Sequence, residues 1–304
     1  MGAPPSSEPL LDARLLHRLE RLRMAAPRIA RSAMSGERRS RARGQSTEFA
    51  DHRAYVPGDD LRRLDWSLYG RLDRLYLRLF EEDRELRVLL FLDASESMNF
   101  GTPTKFAAAA RLAAAIGHAT LCGFDRVGLR VFPGATPTAD GSSQASADWR
   151  GRRATRRLQE AIAQARPGGR GGFNEALRRG AFESKQAGAA VVLSDFLDPG
   201  GYEDGLSSLT ARGFRVEAIQ VVCGEEIEPT AFGDLNLVDS ETGARTEVTF
   251  SRQRLETYRK AWERHSSVFK SFCRARGIGC HQVTAETPIE DVLLRQFRTE
   301  RFWA

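Results

Sequence analysis

The chain has 304 residues, of which 41% are hydrophobic, and a formal net charge of +6 with an isoelectric point near 9.4. This length suffices for one large domain with an accessory segment, and no apolar run approaches the roughly 18 residues of a membrane-spanning helix. The first residues lack a basic stretch followed by an apolar one, so we expect no secretory signal and a cytoplasmic protein. The four cysteines form no C-x-x-C pair, and the spacing of Cys273, Cys280 and His281 fits no common zinc finger.

Residues 1–35 are predicted to form an N-terminal tail with one amphipathic helix. Proline and serine dominate the first nine residues, and leucines then recur at helical spacing from Leu11 to Leu22, with arginines opposite them. Such a helix packs on its own domain or lies on a partner or a membrane surface. We expect packing, with peripheral membrane contact through residues 10–26 as the alternative.

Residues 36–85 form a predicted accessory segment. The pair Pro57-Gly58 indicates a turn, and the alternating pattern of residues 74–80 predicts a half-buried strand. His52, Asp59 and Asp65 invite a catalytic interpretation, but no nucleophile or metal-ligand spacing accompanies them. We expect instead that ion pairs fasten this segment to the main sheet, formed among Arg53, Asp59, Asp60, Arg63 and Asp65.

Residues 86–304 are predicted to form an α/β domain with an open, mostly parallel sheet and helices on both faces. Apolar runs over residues 88–92, 127–132 and 189–193 predict buried strands, and helical patterns alternate with them. Residues 133–148 are predicted to form a long loop with a weak edge strand near its end. A hairpin near residues 235–250 and a long helix from Arg252 to Arg276 follow.

Polar side chains follow two of these strands directly. Asp93, Ser95 and Ser97 come after the first strand, and Asp195 follows the strand over residues 189–193. Ligands of open α/β sheets bind beyond the carboxyl ends of the strands. Carboxylate and hydroxyl oxygens are hard donors that suit Mg²⁺, so this edge is the candidate site.

Two motifs carry a family resemblance. Asp93-Ala-Ser-Glu-Ser97 after a buried strand resembles the metal-ion-dependent adhesion site of a von Willebrand factor A domain. The preceding stretch, with GQSTEF at residues 44–49, RAYVPGDD at 53–60 and LDW at 64–66, resembles the signature of the family called domain of unknown function 58. The residues that carry this signature are Arg53, Tyr55, Pro57, Gly58, Asp59, Asp60, Arg63, Asp65 and Trp66.

This resemblance implies a von Willebrand factor A-like fold and a protein-binding module that is not an enzyme. Mg²⁺, with Mn²⁺ as a substitute, would be held by Asp93, Ser95 and Ser97, with Asp195 bound directly or through water. A carboxylate from a partner would fill the open position. The family usually accompanies MoxR-type AAA+ ATPases, which implies such a partner in a chaperone-like or protein-maturation system.

The second metal loop departs from the family pattern. Gly171-Gly172 is followed by Phe173 where an A domain has threonine. Phenylalanine offers no ligand. The neighbouring Asn174 offers an amide oxygen if the loop shifts by one residue.

Two other function classes stay open. A hydrolase would need a triad such as Ser95, Asp195 and His118 or His281, but no Gly-x-Ser-x-Gly turn is present. The basic charge allows a nucleic-acid-binding protein. No recognition motif supports that class, and the aromatic residues do not alternate with a basic stripe.

Overall fold

The structure is a computed structural model of the 304-residue chain. It describes residues 10–22, 24, 49–80, 86–123, 125–134, 136–137, 143–144, 147–169, 171–184, 187–229, 233–238 and 245–303. The first nine residues of the predicted tail and residues 36–48 of the predicted accessory segment lie outside this part. The chain divides into two compact units, one formed by Met1–Ala26 with Leu86–Ala304 and the other by Pro27–Glu85.

The helices and strands follow one another in a regular order. The α-helices are α1 (Ala13–Leu19), α2 (Trp66–Leu72), α3 (Lys105–Cys122), α4 (Thr155–Gln164), α5 (Phe173–Glu183), α6 (Glu203–Ala211), α7 (Gly224–Ile227), α8 (Arg252–Ala275), α9 (Ile289–Asp291) and α10 (Phe297–Thr299). The strands are β1 (Phe49–Ala54), β2 (Tyr76–Phe80), β3 (Arg87–Asp93), β4 (Arg126–Phe132), β5 (Thr136–Pro137), β6 (Ser143–Gln144), β7 (Ala147–Arg150), β8 (Ala189–Ser194), β9 (Arg215–Val222), β10 (Gly233–Val238), β11 (Arg245–Phe250) and β12 (Gly279–Thr284). Short 3-10 helices span Leu61–Arg63, Glu96–Asn99 and Arg152–Ala154, and a π-helix spans Val292–Gln296.

A six-stranded sheet in the order β12-β9-β8-β3-β4-β7 forms the centre of the larger unit. All neighbouring pairs are parallel except β4 and β7, which are antiparallel. The prediction of an open, mostly parallel sheet is confirmed, and β7 is the weak edge strand expected near the end of the long loop. Since β3 lies between β8 and β4, the chain after Asp93 emerges at the middle of the sheet edge.

Helices cover both faces of this sheet. Val88, Leu90 and Leu92 pack with the layer that contains α1, α3 and α4, whereas Leu89 and Phe91 face the layer of α5, α6 and α8. This alternation follows from the two-residue repeat of a strand. It explains why the apolar run of β3 is continuous, because both faces are buried.

The N-terminal helix packs on the larger unit. Leu15 and Leu19 of α1 are buried against the layer around α3, and Asp12 caps the helix by accepting from the backbone N–H of Leu15 at 3.2 Å. The leucine face therefore contributes to the core, as expected. Among the described residues, no helix combines the length and apolar character that a membrane crossing requires.

The end of the larger unit also follows the sequence prediction. Strands β10 and β11 pair as an antiparallel hairpin. Helix α8 begins after Ser251, whose hydroxyl accepts from the N–H of Arg254 at 3.3 Å, and ends before Gly277, which has a φ of 66°. Phe269 of α8 is fully buried against the sheet layer that contains Phe91.

The N-terminal cap of α3 gives a first test of the fold. The Thr104 hydroxyl accepts from the N–H of Ala107 at 3.1 Å. We expect Thr104→Ala to lower the free energy of unfolding by about 1 kcal/mol, because one backbone donor of the first turn loses its partner. Urea denaturation followed by circular dichroism measures this loss. Thr104→Ser keeps the hydroxyl and is the matched control, and an equal loss in both variants would contradict the capping role.

Candidate functional site

Asp93 ends the central strand β3 and is held by two neighbouring loops. Its Oδ1 accepts from the backbone N–H of Ser95 at 2.9 Å, and its Oδ2 accepts from the hydroxyl of Ser194, at the end of β8, at 2.6 Å. The side chain is 5% exposed. These two bonds fix the carboxylate at the carboxyl edge of the sheet, where strands β3 and β8 end side by side.

The two serines of the Asp-x-Ser-x-Ser motif lie beside this carboxylate. The hydroxyl oxygens of Ser95 and Ser97 are 3.0 Å apart. Their loop is tied to the glycine-rich loop after α4, since Glu96 N–H donates to the Gly169 carbonyl at 3.2 Å and Gly168 N–H donates to the Ala94 carbonyl at 2.7 Å. The loop conformation is therefore set by contacts with two other segments.

Asp195, on the loop after β8, is the fourth of the predicted site residues. Its Oδ1 accepts from the N–H of Leu197 at 3.1 Å, and its Oδ2 accepts from the Lys105 ammonium at 2.8 Å. The structure brings Asp93, Ser95, Ser97 and Asp195 to the lining of one cavity of about 10 Å³. A cavity of that size holds about one water molecule or one small ion.

The second loop contributes backbone but no ligating side chain next to Asp93. Phe173 is 1% exposed and packs edge-on against Phe132 and Phe196, with ring centres 5.6 and 5.5 Å apart. It fills the interior below the site with an aromatic ring.

The hypothesis that Asn174 is a ligand does not agree with its contacts. The Asn174 amide oxygen accepts from the N–H of Gly205 at 2.7 Å, and its NH₂ group donates to the carbonyls of Gly200 and Gly201 at 2.9 and 3.0 Å. The loop has not shifted to present this side chain, and Asn174 is not among the residues that line the cavity. Asn174 therefore fastens α5 to the start of α6.

The charges of this edge are unevenly compensated. Lys105 is 1% exposed, and its ammonium contacts Asp195 at 2.8 Å and Glu226 at 2.5 Å. Burial alone would lower the pKa of Lys105, but the charges of Asp195 and Glu226 outweigh it and raise that pKa. The carboxylates of Asp195 and Glu226 thus share one ammonium group, whereas Asp93 has hydrogen bonds from neutral donors and lies in the field of the Asp195 charge.

Asp93 shows the effect of this imbalance. Burial, and then the negative charge of Asp195, raise the pKa of Asp93 to about 6, against the hydrogen bonds from Ser194 and Ser95. A cation in the cavity would remove that penalty. The donor set, the size of the cavity and the excess negative charge therefore fit a small divalent ion.

Lys105 and Glu226 were not predicted from the sequence as part of this site. Glu226 lies in α7, where its Oε2 accepts from the N–H of Cys223 at 2.9 Å and its backbone carbonyl accepts from the Tyr258 hydroxyl of α8 at 2.6 Å. One signal was available, because Lys105 is one of only four lysines in an arginine-rich chain. It is also the first residue of an alanine-rich helix that starts at the sheet edge.

An open groove of about 300 Å³ adjoins the small cavity and shares Ser97 and Asp195 with it. Lys105 and Glu226 line the groove, and Phe100 and Leu197 contribute apolar surface to it. Phe100 is 44% exposed and Leu197 is 39% exposed. A chain segment that placed a carboxylate at the cavity would pass between these two apolar side chains.

The signature residues of the smaller unit have structural partners within that unit. Arg53 pairs with Asp59 at 2.8 Å, Asp60 caps the 3-10 helix Leu61–Arg63, and Asp65 caps α2 and contacts His52 Nε2 at 2.9 Å. The expected ion pairs are thus partly present, but two of the aspartates serve as helix caps. All of these contacts lie inside the unit, and the expectation that such groups fasten the segment to the main sheet stays a prediction.

The other signature residues include a turn and an exposed surface. Gly58 has a φ of 107°, and Asp59 N–H donates to the Val56 carbonyl at 3.1 Å, which confirms the turn at Pro57-Gly58. Tyr55 N–H donates to the Leu75 carbonyl at 2.9 Å. Trp66 is 65% exposed at the start of α2. The Arg63 side chain lies outside the described part.

The structure does not assemble the alternative hydrolase triad. None of the residues that line the cavity is a histidine. His118 lies within α3 beside Cys122, and His281 of β12 contacts Glu217 at 2.9 Å. Ser95 shares its hydroxyl contact with Ser97, and no described histidine bonds to it.

Comparisons with known proteins agree with the sequence motifs. The model of the family described as "Protein of unknown function DUF58" matches residues 51–268. The uncharacterized protein Rv1480 of Mycobacterium tuberculosis H37Rv is 30% identical over 262 residues, which are 84% of this chain and 80% of that protein. The uncharacterized protein Mb1516 of Mycobacterium bovis matches over the same length at the same identity.

Solved structures are more distant. A conserved hypothetical protein BatB from Bacteroides thetaiotaomicron is 16% identical with a TM-score of 0.40, and the match covers 71% of this chain and 98% of that one. An aerotolerance-related membrane protein from Bacteroides fragilis is 15% identical with a TM-score of 0.39 and the same coverage. These similarities are too low to carry an argument about function. The match of the family model over residues 51–268, together with relatives 30% identical over most of both chains, shows that this chain belongs to the DUF58 family.

Proposed function

We propose that this protein is a non-enzymatic binding module that uses a Mg²⁺ ion at Asp93, Ser95 and Ser97 to bind a carboxylate of a partner protein. The observation that carries the proposal is the cavity at the sheet edge, where four predicted oxygen donors meet around a space of about 10 Å³. Asp195 supports the ion through water while it keeps its contact with Lys105. Mg²⁺ retains several waters in such sites, so three protein oxygens are enough to hold it.

Each residue of the site has a separate role in binding the ion. Asp93 supplies the charged ligand, and Ser194 and the Ser95 backbone hold its two oxygens in place. Lys105 holds Asp195 in position through an ion pair. When bound, the ion offers an open coordination position to an incoming carboxylate. The adjoining groove between Phe100 and Leu197 gives that carboxylate a path to the cavity.

The partner that we propose is a MoxR-type AAA+ ATPase, in a system that remodels or matures other proteins. The family membership of the chain supports this choice, because the proteins that it resembles usually accompany such ATPases. A carboxylate of the ATPase or of its client would then coordinate the ion, and this coordination would form only when the complex is assembled.

Metal binding is the first test. We expect calorimetry with Mg²⁺ and Mn²⁺ to show one saturable site in the wild type, and affinity to fall by roughly tenfold or more in Asp93→Asn and in Ser97→Ala, each of which removes one ligand. Asp204→Asn, an exposed aspartate on α6, is the matched control and should bind as the wild type does. A folded wild type that binds neither ion would overturn the metal mechanism.

Partner binding is tested separately. The MoxR-type ATPase from the same genome should be retained by the immobilised protein in Mg²⁺, released by EDTA, and not retained by Asp93→Asn. If the ion binds but the ATPase is never retained, the choice of partner is wrong and the metal site stands. Retention that EDTA does not reverse would place the contact away from the metal edge.

A further inference from the structure

A second group of ligand-type side chains lies far from the sheet edge along helix α3. His118 and Cys122 are four residues apart on this helix and therefore share one face. Glu20 follows the last residue of α1 and reaches the same place, because α1 packs on α3 through Leu15 and Leu19. One ligand atom from each of Glu20, His118 and Cys122 lies within 4.8 Å of the other two.

The spacing agrees with coordination of a transition metal. Tetrahedral zinc with bonds of about 2.0–2.1 Å to nitrogen and 2.3 Å to sulfur places these two ligands about 3.5 Å apart. In the structure, His118 Nε2 and Cys122 Sγ are 3.5 Å apart. The Glu20 carboxylate needs only a small movement of its flexible side chain to complete the third position.

The environment of His118 suits a neutral nitrogen ligand. The imidazole is 7% exposed, its Nε2 is the nitrogen beside Cys122 Sγ, and the backbone of Leu16 on α1 forms a hydrogen bond with the ring. A backbone partner on one side of an imidazole orients the ring and leaves the other nitrogen available to an ion. Burial lowers the pKa of His118, which leaves the imidazole neutral, as a metal ligand must be.

Arg152 supports the third ligand. Its guanidinium pairs with Oε1 of Glu20 at the surface of the cluster. A carboxylate has two oxygens, so it can ligate an ion and accept from arginine at once, and groups in this outer position orient metal ligands in many proteins. The alternative is that the three side chains only pack here, with Glu20 serving the ion pair.

We propose that Glu20, His118 and Cys122 form a zinc site that fastens the N-terminal helix to α3, with water in the fourth position. This set combines thiolate, imidazole and carboxylate, which favours Zn²⁺ over Mg²⁺. The site is independent of the Asp93 cavity, whose donors are all oxygens.

Cobalt spectroscopy of the full, reduced chain tests the site. Co²⁺ bound to a thiolate gives a sulfur-to-cobalt charge-transfer band in the near ultraviolet, and we expect this band at one equivalent and its displacement by Zn²⁺. Cys122→Ser should abolish the band, and Glu20→Gln should weaken binding by roughly tenfold or more. Zn²⁺ should also raise the melting temperature of the wild type but not that of Cys122→Ser.

Two controls make the outcome decisive. Cys280→Ser keeps the proposed site and should retain the band, and Asp93→Asn should retain it too, because the sheet-edge site holds no sulfur. A folded wild type that shows no charge-transfer band would overturn the proposal. So would a band that survives in Cys122→Ser or is lost in Cys280→Ser.

Discussion

Replacing Lys105 by methionine is expected to lower the free energy of unfolding by about 3 kcal/mol near neutral pH. The methionine keeps the volume of the buried stem but removes the ammonium that pairs with Asp195 and Glu226. Breaking a buried ion pair from one side leaves an uncompensated charge, which typically costs 3–5 kcal/mol. Urea denaturation at pH 7.5 measures the loss, with Lys260→Met on the exposed side of α8 as the matched control.

The pH dependence of the same variant has a definite sign. In the wild type, burial lowers the pKa of Lys105, but the charges of Asp195 and Glu226 outweigh it and raise that pKa above its ordinary value. Because the folded-state pKa is raised, the stabilisation by the ammonium is complete below the unfolded pKa of about 10.4 and is lost as the pH rises through the folded-state pKa. The deficit of Lys105→Met relative to the wild type should therefore be full at pH 7.5 and shrink above about pH 10.5. Millimolar Mg²⁺ should restore part of the lost stability at pH 7.5. A deficit that does not shrink at high pH would mean that lost packing, and not charge, is its cause.

Raising the pH is expected to remove about 3 kcal/mol of stability that depends on His281. This imidazole is 3% exposed between two carboxylates, with Nε2 at 2.9 Å from Glu217 and Nδ1 in contact with Glu300. Burial opposes the charged form, but the bonds to Glu217 and Glu300 outweigh it and raise the pKa of His281 to about 9. Because this pKa lies above the unfolded value near 6.5, the contribution is complete below pH 6.5 and is lost as the pH rises through 9.

A difference measurement isolates this effect from other groups that titrate at high pH. The difference in unfolding free energy between the wild type and His281→Gln should fall by about 3 kcal/mol from pH 6.5 to pH 9.5. His17→Gln, on the exposed side of α1, should show a difference that stays constant. If the His281→Gln difference is equally constant, the imidazole carries no charge between the two glutamates.

The central part of the fold could be predicted because its signals are local. The apolar run of β3 ends abruptly at Asp93, and this fixes both a buried strand and a polar side chain at the sheet edge. The hairpin of β10 and β11 and the capped helix α8 have turn and cap residues of their own. Two carboxylates after neighbouring parallel strands meet by geometry, whatever the rest of the chain does.

The parts that escaped prediction depend on residues distant in sequence. Lys105 contacts Asp195 and Glu226, which are 90 and 121 positions away. The role of Asn174 depends on Gly205, where a Cβ atom would lie 2.9 Å from the asparagine oxygen. Gly279 similarly leaves room for Glu217, because a Cβ there would meet its carboxylate at 1.7 Å. A glycine gives no sign in the sequence of the side chain that will occupy its space.

The ammonium of Lys105 also connects the loop after β8 with helix α8 through a chain of polar contacts. From Asp195 the contacts run through Lys105 to Glu226, and the Glu226 carbonyl receives the hydroxyl of Tyr258 on α8. Four segments, the loop after β8, the start of α3, helix α7 and helix α8, are therefore joined by three polar bonds. A displacement of α8 by a bound protein would therefore reach Asp195 at the sheet edge through these three bonds.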